Sequence, residues 1–271
     1  MAHVATSLGR IAYDSRGDGP PLVLLHANPG DRRDFDAIVP ALAERHRVIA
    51  LDWPGYGGSP APLCPADASA MFFADVLREV TEALALAPAI VLGNSVGGYA
   101  ALRLAIDRPE AVRALVLVDT GGFTPQGLVS RAFCSIKGTE AVTRAIAGRF
   151  AAHYLKLRTD VTRAMIARAD AGRRDAACVA VDAAVWRSFR DPDHDLRERA
   201  RAVHQPTLLA WGRHDPVLRL DVDAKEAKAA MPHAELAVFD TGHAPFAEAP
   251  EAFLAVVQGF LSRVAHHAEA A

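Results

Sequence analysis

The chain is 271 residues long, 51% hydrophobic and 23% charged, and its 30 Lys and Arg nearly balance its 32 Asp and Glu. That composition is globular, with enough chain to bury a core without disulfide or metal staples, and a net charge of −2 gives no general pull on nucleic acid. Cys64, Cys134 and Cys178 lack CxxC spacing, which argues against a disulfide framework or a cysteine zinc site. The longest apolar stretch, Ala83–Leu92, is too short to span a bilayer and contains Pro88. The opening residues lack a charged-then-apolar signal pattern, so a cytoplasmic protein in a reducing compartment is expected.

The first half alternates short β-branched runs with longer periodic segments. Val4–Leu8 and Arg10–Asp14 predict a leading hairpin, followed by a Gly/Pro turn at 17–21. Leu22–Leu25 is a continuous apolar run, as in a strand buried on both faces. Phe35, Ile38, Val39 and Leu42 repeat at helical spacing, Val48–Leu51 is the next strand, and a glycine-rich loop at 52–59 follows. Ser69–Leu86 is helical by period, Ala89–Leu92 a strand, Ser95–Asp107 a helix and Ala114–Val118 a strand. The alternation lapses over residues 121–203, which are helical in pattern and carry 13 Arg and 2 Lys against 9 Asp and Glu. A local excess of that size marks a segment with its own surface. Strands resume at Thr207–Trp211 and Glu235–Phe239, with helices near Leu220–Ala230 and over Pro250–Val264 and a frayed tail at 266–271. The pattern predicts an α/β fold: a mainly parallel eight-stranded sheet with helices on both faces, formed by residues 1–120 and 204–271, with a helical insertion at 121–203.

Three loops carry the chemistry. In Gly93-Asn94-Ser95-Val96-Gly97-Gly98 a serine sits between a buried strand and a helix, a tight turn that lifts its hydroxyl above the strand end. The flanking glycines allow backbones to approach too closely for a Cβ, and the Val96 amide, at a helix N-terminus, is free to stabilise an anion. A serine hydroxyl needs a base, and His243, on the loop after the last strand, has the right place in the chain. An acid must orient that imidazole. Asp215, before Pro216 on the loop after the penultimate strand, is favoured; Asp119, at the end of Ala114–Val118, competes for the role. His214 is expected to orient the loop only.

Together with Leu25-His26-Ala27-Asn28-Pro29-Gly30 and the 52–59 loop, these motifs resemble the α/β-hydrolase superfamily over essentially the whole chain except the insertion, which corresponds to that family's variable lid. The resemblance implies a catalytic triad of Ser95, Asp215 and His243, with a second oxyanion donor falling on Asn28 and Ala27 as its neighbour. Alanine replaces the usual glycine after His26, which alters the loop's path and the amide it presents. His26 itself reads as a structural residue hydrogen-bonded within the loop.

Serine at position 95 disfavours the alkyl-enzyme chemistry of aspartate-bearing dehalogenases and epoxide hydrolases. No phosphate loop, zinc helix or dinucleotide fingerprint is present, so no cofactor or metal is implied. The expected partner is a small-molecule substrate, with no nucleic acid or membrane partner, in a monomer or homodimer. The leading expectation is a serine hydrolase of a small carboxylic ester or lactone, carboxylesterase-like. Alternatives are a carbon–carbon bond hydrolase acting on a vinylogous diketone and a non-hydrolytic ligand-binding or cyclase member of the fold. Phe123, Phe133, Trp186 and Phe189 are candidate pocket linings, and each could equally dock lid helices on the core. Arg158, Arg163, Arg168, Arg173 and Arg174 read as a solvated face paired with Asp160, Asp170 and Asp175; with Arg32 and Arg33 they could also attract an anionic substrate.

Overall fold

A computed structural model describes residues 1–269. The hairpin of β1 (Ala2–Thr6) and β2 (Gly9–Arg16) leads into β3 (Pro21–Leu25), a one-turn helix α1 (Val39–Leu42) and β4 (Arg47–Leu51). Then come α2 (Ala70–Ala83), β5 (Ala89–Asn94), α3 (Val96–Asp107) and β6 (Val112–Val118). Four helices follow with no strand among them: α4 (Leu128–Lys137), α5 (Glu140–Tyr154), α6 (Asp160–Gly172) and α7 (Ala176–Ser188). The chain closes with β7 (Thr207–Gly212), α8 (Lys225–Ala230), β8 (Glu235–Phe239), α9 (Pro245–Glu248) and α10 (Pro250–Glu269). All eight strands form one sheet in the order β1-β2-β4-β3-β5-β6-β7-β8, antiparallel in its first two pairings and parallel from β4 onward.

The apolar runs are continuous because the parallel strands feed two cores. Val23, Leu25, Ile49, Leu51, Leu115 and Leu117 point to one face, where α2, α3 and α8 pack. Leu22, Leu24, Val48, Ala50, Val116 and Val118 point to the other, filled by Leu42 of α1, Phe246 of α9 and Phe253, Val257 and Phe260 of α10. The α2 helix starts where its sequence says it should, with the Ser69 side chain accepting from the Phe72 amide as N-cap.

Two expectations need correction. The periodic segment at 35–42 is not one helix but a 3₁₀ turn at Arg32–Phe35 and the four-residue α1. Pro40 explains the break: it has no amide to donate and is tolerated only in the first turn of a helix, where it sits. The last helix, predicted to end at Val264, runs on to Glu269, and residues 270–271 of the expected frayed tail lie outside the described residues. No helix among the described residues is long and apolar enough to cross a membrane.

Candidate active site

Ser95 occupies the turn between β5 and α3 at φ 57° and ψ −116°, a left-handed conformation rare for any residue with a Cβ. Such strain persists only where the surroundings over-determine it. Here the Ser95 amide donates to Val118 O at 3.0 Å, and its carbonyl accepts from Tyr99 and Gly121, each at 3.0 Å. The glycines act as the sequence predicts. A Cβ on Gly93 would lie 2.3 Å from Gly97 O, and one on Gly97 2.4 Å from Leu25 O. The Val96 amide, first in α3, and the Ala27 and Asn28 amides on the loop after β3 donate to no acceptor among the described residues.

His243 follows β8 and is fixed from several sides. Its Nδ1 lies 2.6 Å from Asp215 Oδ2, at the short end of bonds from nitrogen to a carboxylate. The other Asp215 oxygen accepts from the Val217 amide at 2.8 Å. The backbone is held too: the His243 amide donates to Tyr154 O at 3.0 Å, and its carbonyl accepts from Asn94 Nδ2 at 3.0 Å. Asn94 also donates to Val118 O at 3.1 Å, so one amide side chain ties the serine turn to the histidine loop. The Tyr154 ring packs edge-on against the imidazole, centroids 5.2 Å apart.

Asp119, the competing acid, stands beside the pair without touching the imidazole. It is fully buried, and its Oδ1 accepts from the Gly212 amide at 2.9 Å while Oδ2 meets no ordinary donor. Burial, reinforced by the adjacent Asp215 charge, raises its pKa well above the usual carboxylate value. Ligand-type atoms of Asp119, Asp215 and His243 lie within 4.8 Å of one another. A metal is nonetheless ill suited here, because the direct 2.6 Å contact between Nδ1 and Oδ2 leaves no room for an ion between them.

The loop after β3 is equally constrained. His26 Nδ1 lies 2.7 Å from Ala27 O, and its Nε2 accepts from the Trp53 amide at 2.9 Å, which fixes a neutral tautomer with the proton on Nδ1. Burial lowers the pKa of this ring, in keeping with a structural role. His214 bonds the exposed Asp240 at 2.7 Å, outside the site.

Several sequence-predicted contacts fall elsewhere. A cavity of about 280 Å³ opens between the loop after β3 and helices α5–α7, walled by Pro29, Gly30, Tyr56, Thr143, Tyr154 and Asp182 among others. Ala27, Phe123, Trp186 and Phe189 are not in its walls, and neither are Ser95, Val96, Asn28 and His243. Phe123 is fully buried in the core, and Trp186 packs edge-on against Phe133, Phe150 and Phe189, so these aromatics dock helices instead. Arg163 and Arg173 pair with Asp160 and Asp170 on α6 as predicted. Arg168 does not belong to that solvated face; it reaches Asp31 at 3.1 Å and Asp34 at 2.5 Å on the loop after β3. Arg32 is spent on Asp14 and Asp52.

Sequence reasoning missed Glu248 altogether. This buried carboxylate accepts from four amides, Lys156 (2.7 Å), Leu157 (2.8 Å), Gly242 (3.0 Å) and Ala244 (3.2 Å). Two of these belong to the α5–α6 connection and two flank His243. Nothing in the sequence marks such a role, since every partner is a backbone group.

Comparisons with known proteins bear on the family and the fold. A family described as alpha/beta hydrolase fold matches residues 20–133. A 2-hydroxy-6-oxononadienedioate/2-hydroxy-6-oxononatrienedioate hydrolase from Burkholderia vietnamiensis is 32% identical over 94% of this chain and 91% of its own length. The chain belongs to the alpha/beta hydrolase superfamily. Among solved structures, a thermophilic esterase from Thermogutta terrifontis superposes with a TM-score of 0.81 at 24% identity, covering 97% of this chain and 98% of that one. An esterase from Exiguobacterium antarcticum gives 0.79 at 25% identity, covering 94% and 96%. The helical segment between β6 and β7 contacts both the His243 loop and the loop after β3.

Proposed function

We propose that this alpha/beta hydrolase cleaves a small carboxylic ester or lactone through an acyl-enzyme on Ser95. Ser95 Oγ attacks the carbonyl carbon as His243 Nε2 takes its proton. The amides of Val96 and of the Ala27–Asn28 segment receive the oxyanion. The imidazolium, oriented by Asp215, then protonates the leaving oxygen, and the same histidine activates a water that releases the acid. The observation that carries this reading is the conjunction of a strained serine, an unpaired helix N-terminal amide beside it and an imidazole held 2.6 Å from a buried carboxylate. The helical insertion serves as the lid, since it contacts both the His243 loop and the loop after β3.

A serine-directed fluorophosphonate should label Ser95 stoichiometrically, and an ester chain-length screen should find activity on short acyl groups that Ser95→Ala abolishes. Absence of labelling would refute the reading and favour a non-hydrolytic member of the fold. A second reading, carbon–carbon bond hydrolysis of a vinylogous diketone, is favoured by the likeness to the Burkholderia vietnamiensis hydrolase. Faster turnover of a coloured ring-fission dienoate than of p-nitrophenyl acetate would establish it.

A further inference from the structure

A buried ion pair in the helical insertion reaches into the loop after β3. Lys137, the last residue of α4, is 2% exposed, and Asp182 of α7 is 5% exposed. Their Nζ–Oδ1 distance is 3.1 Å. The ammonium also donates to Thr143 Oγ1 at 3.1 Å and lies over the Trp186 ring, 5.2 Å from its centroid. Buried pairs of this kind contribute little net stability against an apolar replacement, so the pair calls for another explanation.

The contacts of Asp182 supply one. Its Oδ1 accepts from Asn28 Nδ2 at 3.2 Å, and its backbone carbonyl lies 3.4 Å from the same nitrogen. At the opposite end, Tyr56 OH donates to Asn28 Oδ1. The Asn28 side chain is therefore gripped at both ends, by the insertion and by the loop after β4. The grip also has a direction: flipping the amide would set its oxygen against a carboxylate. Asn28 carries one of the backbone amides of the loop after β3 that donate to no acceptor among the described residues, and a bare carboxylate bonded to that residue would oppose a negative charge growing there. Lys137 cancels it.

We propose that Asp182 is a positioning residue for the oxyanion-binding loop, acting through the Asn28 side chain, with Lys137 neutralising its charge. The proposal rests on the serine-hydrolase reading above. It also accounts for Ala27 standing where glycine is usual: a loop steered by an external tether depends less on the conformational freedom of its own residues.

The test compares two double variants, each without the buried charges. Lys137→Met with Asp182→Asn keeps an acceptor for Asn28; Lys137→Met with Asp182→Leu keeps the volume and removes it. With p-nitrophenyl acetate as probe, the Asn variant should hold kcat within about threefold of the parent. The Leu variant should lose roughly 10- to 100-fold in kcat, with KM changed less than about threefold. Affinity for a trifluoromethyl ketone that adds to Ser95 should fall in parallel. Equal kcat in the two variants, whether both near the parent or both depressed, would overturn the proposal. If the Leu variant does not fold, Asn28→Ala reads the same link, since it keeps the backbone amide and removes both tethers; an unchanged kcat there would be equally fatal. Fluorophosphonate labelling of the parent chain separates the two claims: without labelling the hydrolase reading falls and takes this inference with it, whereas labelling with equal variants sinks this inference alone.

Discussion

Replacing Glu248 by Gln probes how the insertion and the His243 loop are joined. In the parent chain Oε2 accepts from the Lys156, Leu157 and Gly242 amides and Oε1 from Ala244. A glutamine satisfies the larger group by placing its oxygen where Oε2 was, which turns its NH₂ toward the Ala244 amide. One buried donor is then left facing another, and three charge-assisted bonds become neutral ones. At about 1–3 kcal/mol for an unsatisfied buried group, plus a few tenths for each weakened bond, the total comes to roughly 2–4 kcal/mol. The loss falls on the residue after His243, so it should appear in chemistry as well as in stability. Urea unfolding should register the destabilisation. Steady-state kinetics on a short ester should show kcat reduced about tenfold, with KM within about threefold, because the cavity walls are untouched. A Glu248→Gln enzyme with parental kcat and parental unfolding midpoint would refute the reasoning, and a loss confined to KM would show that the carboxylate shapes the pocket and not the histidine.

Other consequences follow from single observations. Ser95→Gly should be more stable than Ser95→Ala by about 1 kcal/mol in thermal or urea unfolding, since glycine adopts φ 57° without the Cβ clash, and both should be inactive. Asp119→Asn should keep kcat within about threefold because it is isosteric, keeps an acceptor for the Gly212 amide and removes no bond to His243, whereas Asp215→Asn should lose about 10³- to 10⁴-fold; comparable losses in the two would assign Asp119 a direct share in catalysis. Burial lowers the His194 pKa to about 4, below its value in the unfolded chain, so its contribution to stability is complete above pH 6.5 and is lost as pH falls toward 4. Between pH 7.5 and 5 that loss amounts to about 2 kcal/mol. His194→Phe, packed between Tyr99 and Phe189, should flatten this part of the urea-derived stability profile, and an unchanged slope would remove His194 from the account.

The division between what the sequence announces and what it conceals follows from the range of the forces involved. Strands β3 to β7 are legible because burial on both faces demands an unbroken apolar run, and the serine turn is legible because two backbones meet at Gly93 and Gly97 where no Cβ fits. His243 and Asp215 are legible through chain order and loop placement, constraints imposed locally by each strand end. The helix expected at 35–42 failed on one residue, Pro40, whose missing amide outweighs a favourable period. The polar contacts that set the site in place leave no such trace. Asp182 meets Asn28 across 154 residues, and Glu248 meets Lys156 across 92. Arg168 lies on a helix face indistinguishable in sequence from the solvated one it was read as, yet it crosses to Asp34. A buried charge is specified only by what closes around it, and a backbone amide has no identity that a sequence could reveal. Hydrophobic pattern therefore locates the sheet and loop order locates Ser95, Asp215 and His243 at neighbouring strand ends, while the alignment of the histidine and of the loop after β3 depends on carboxylates whose partners become visible only once the insertion has folded onto them.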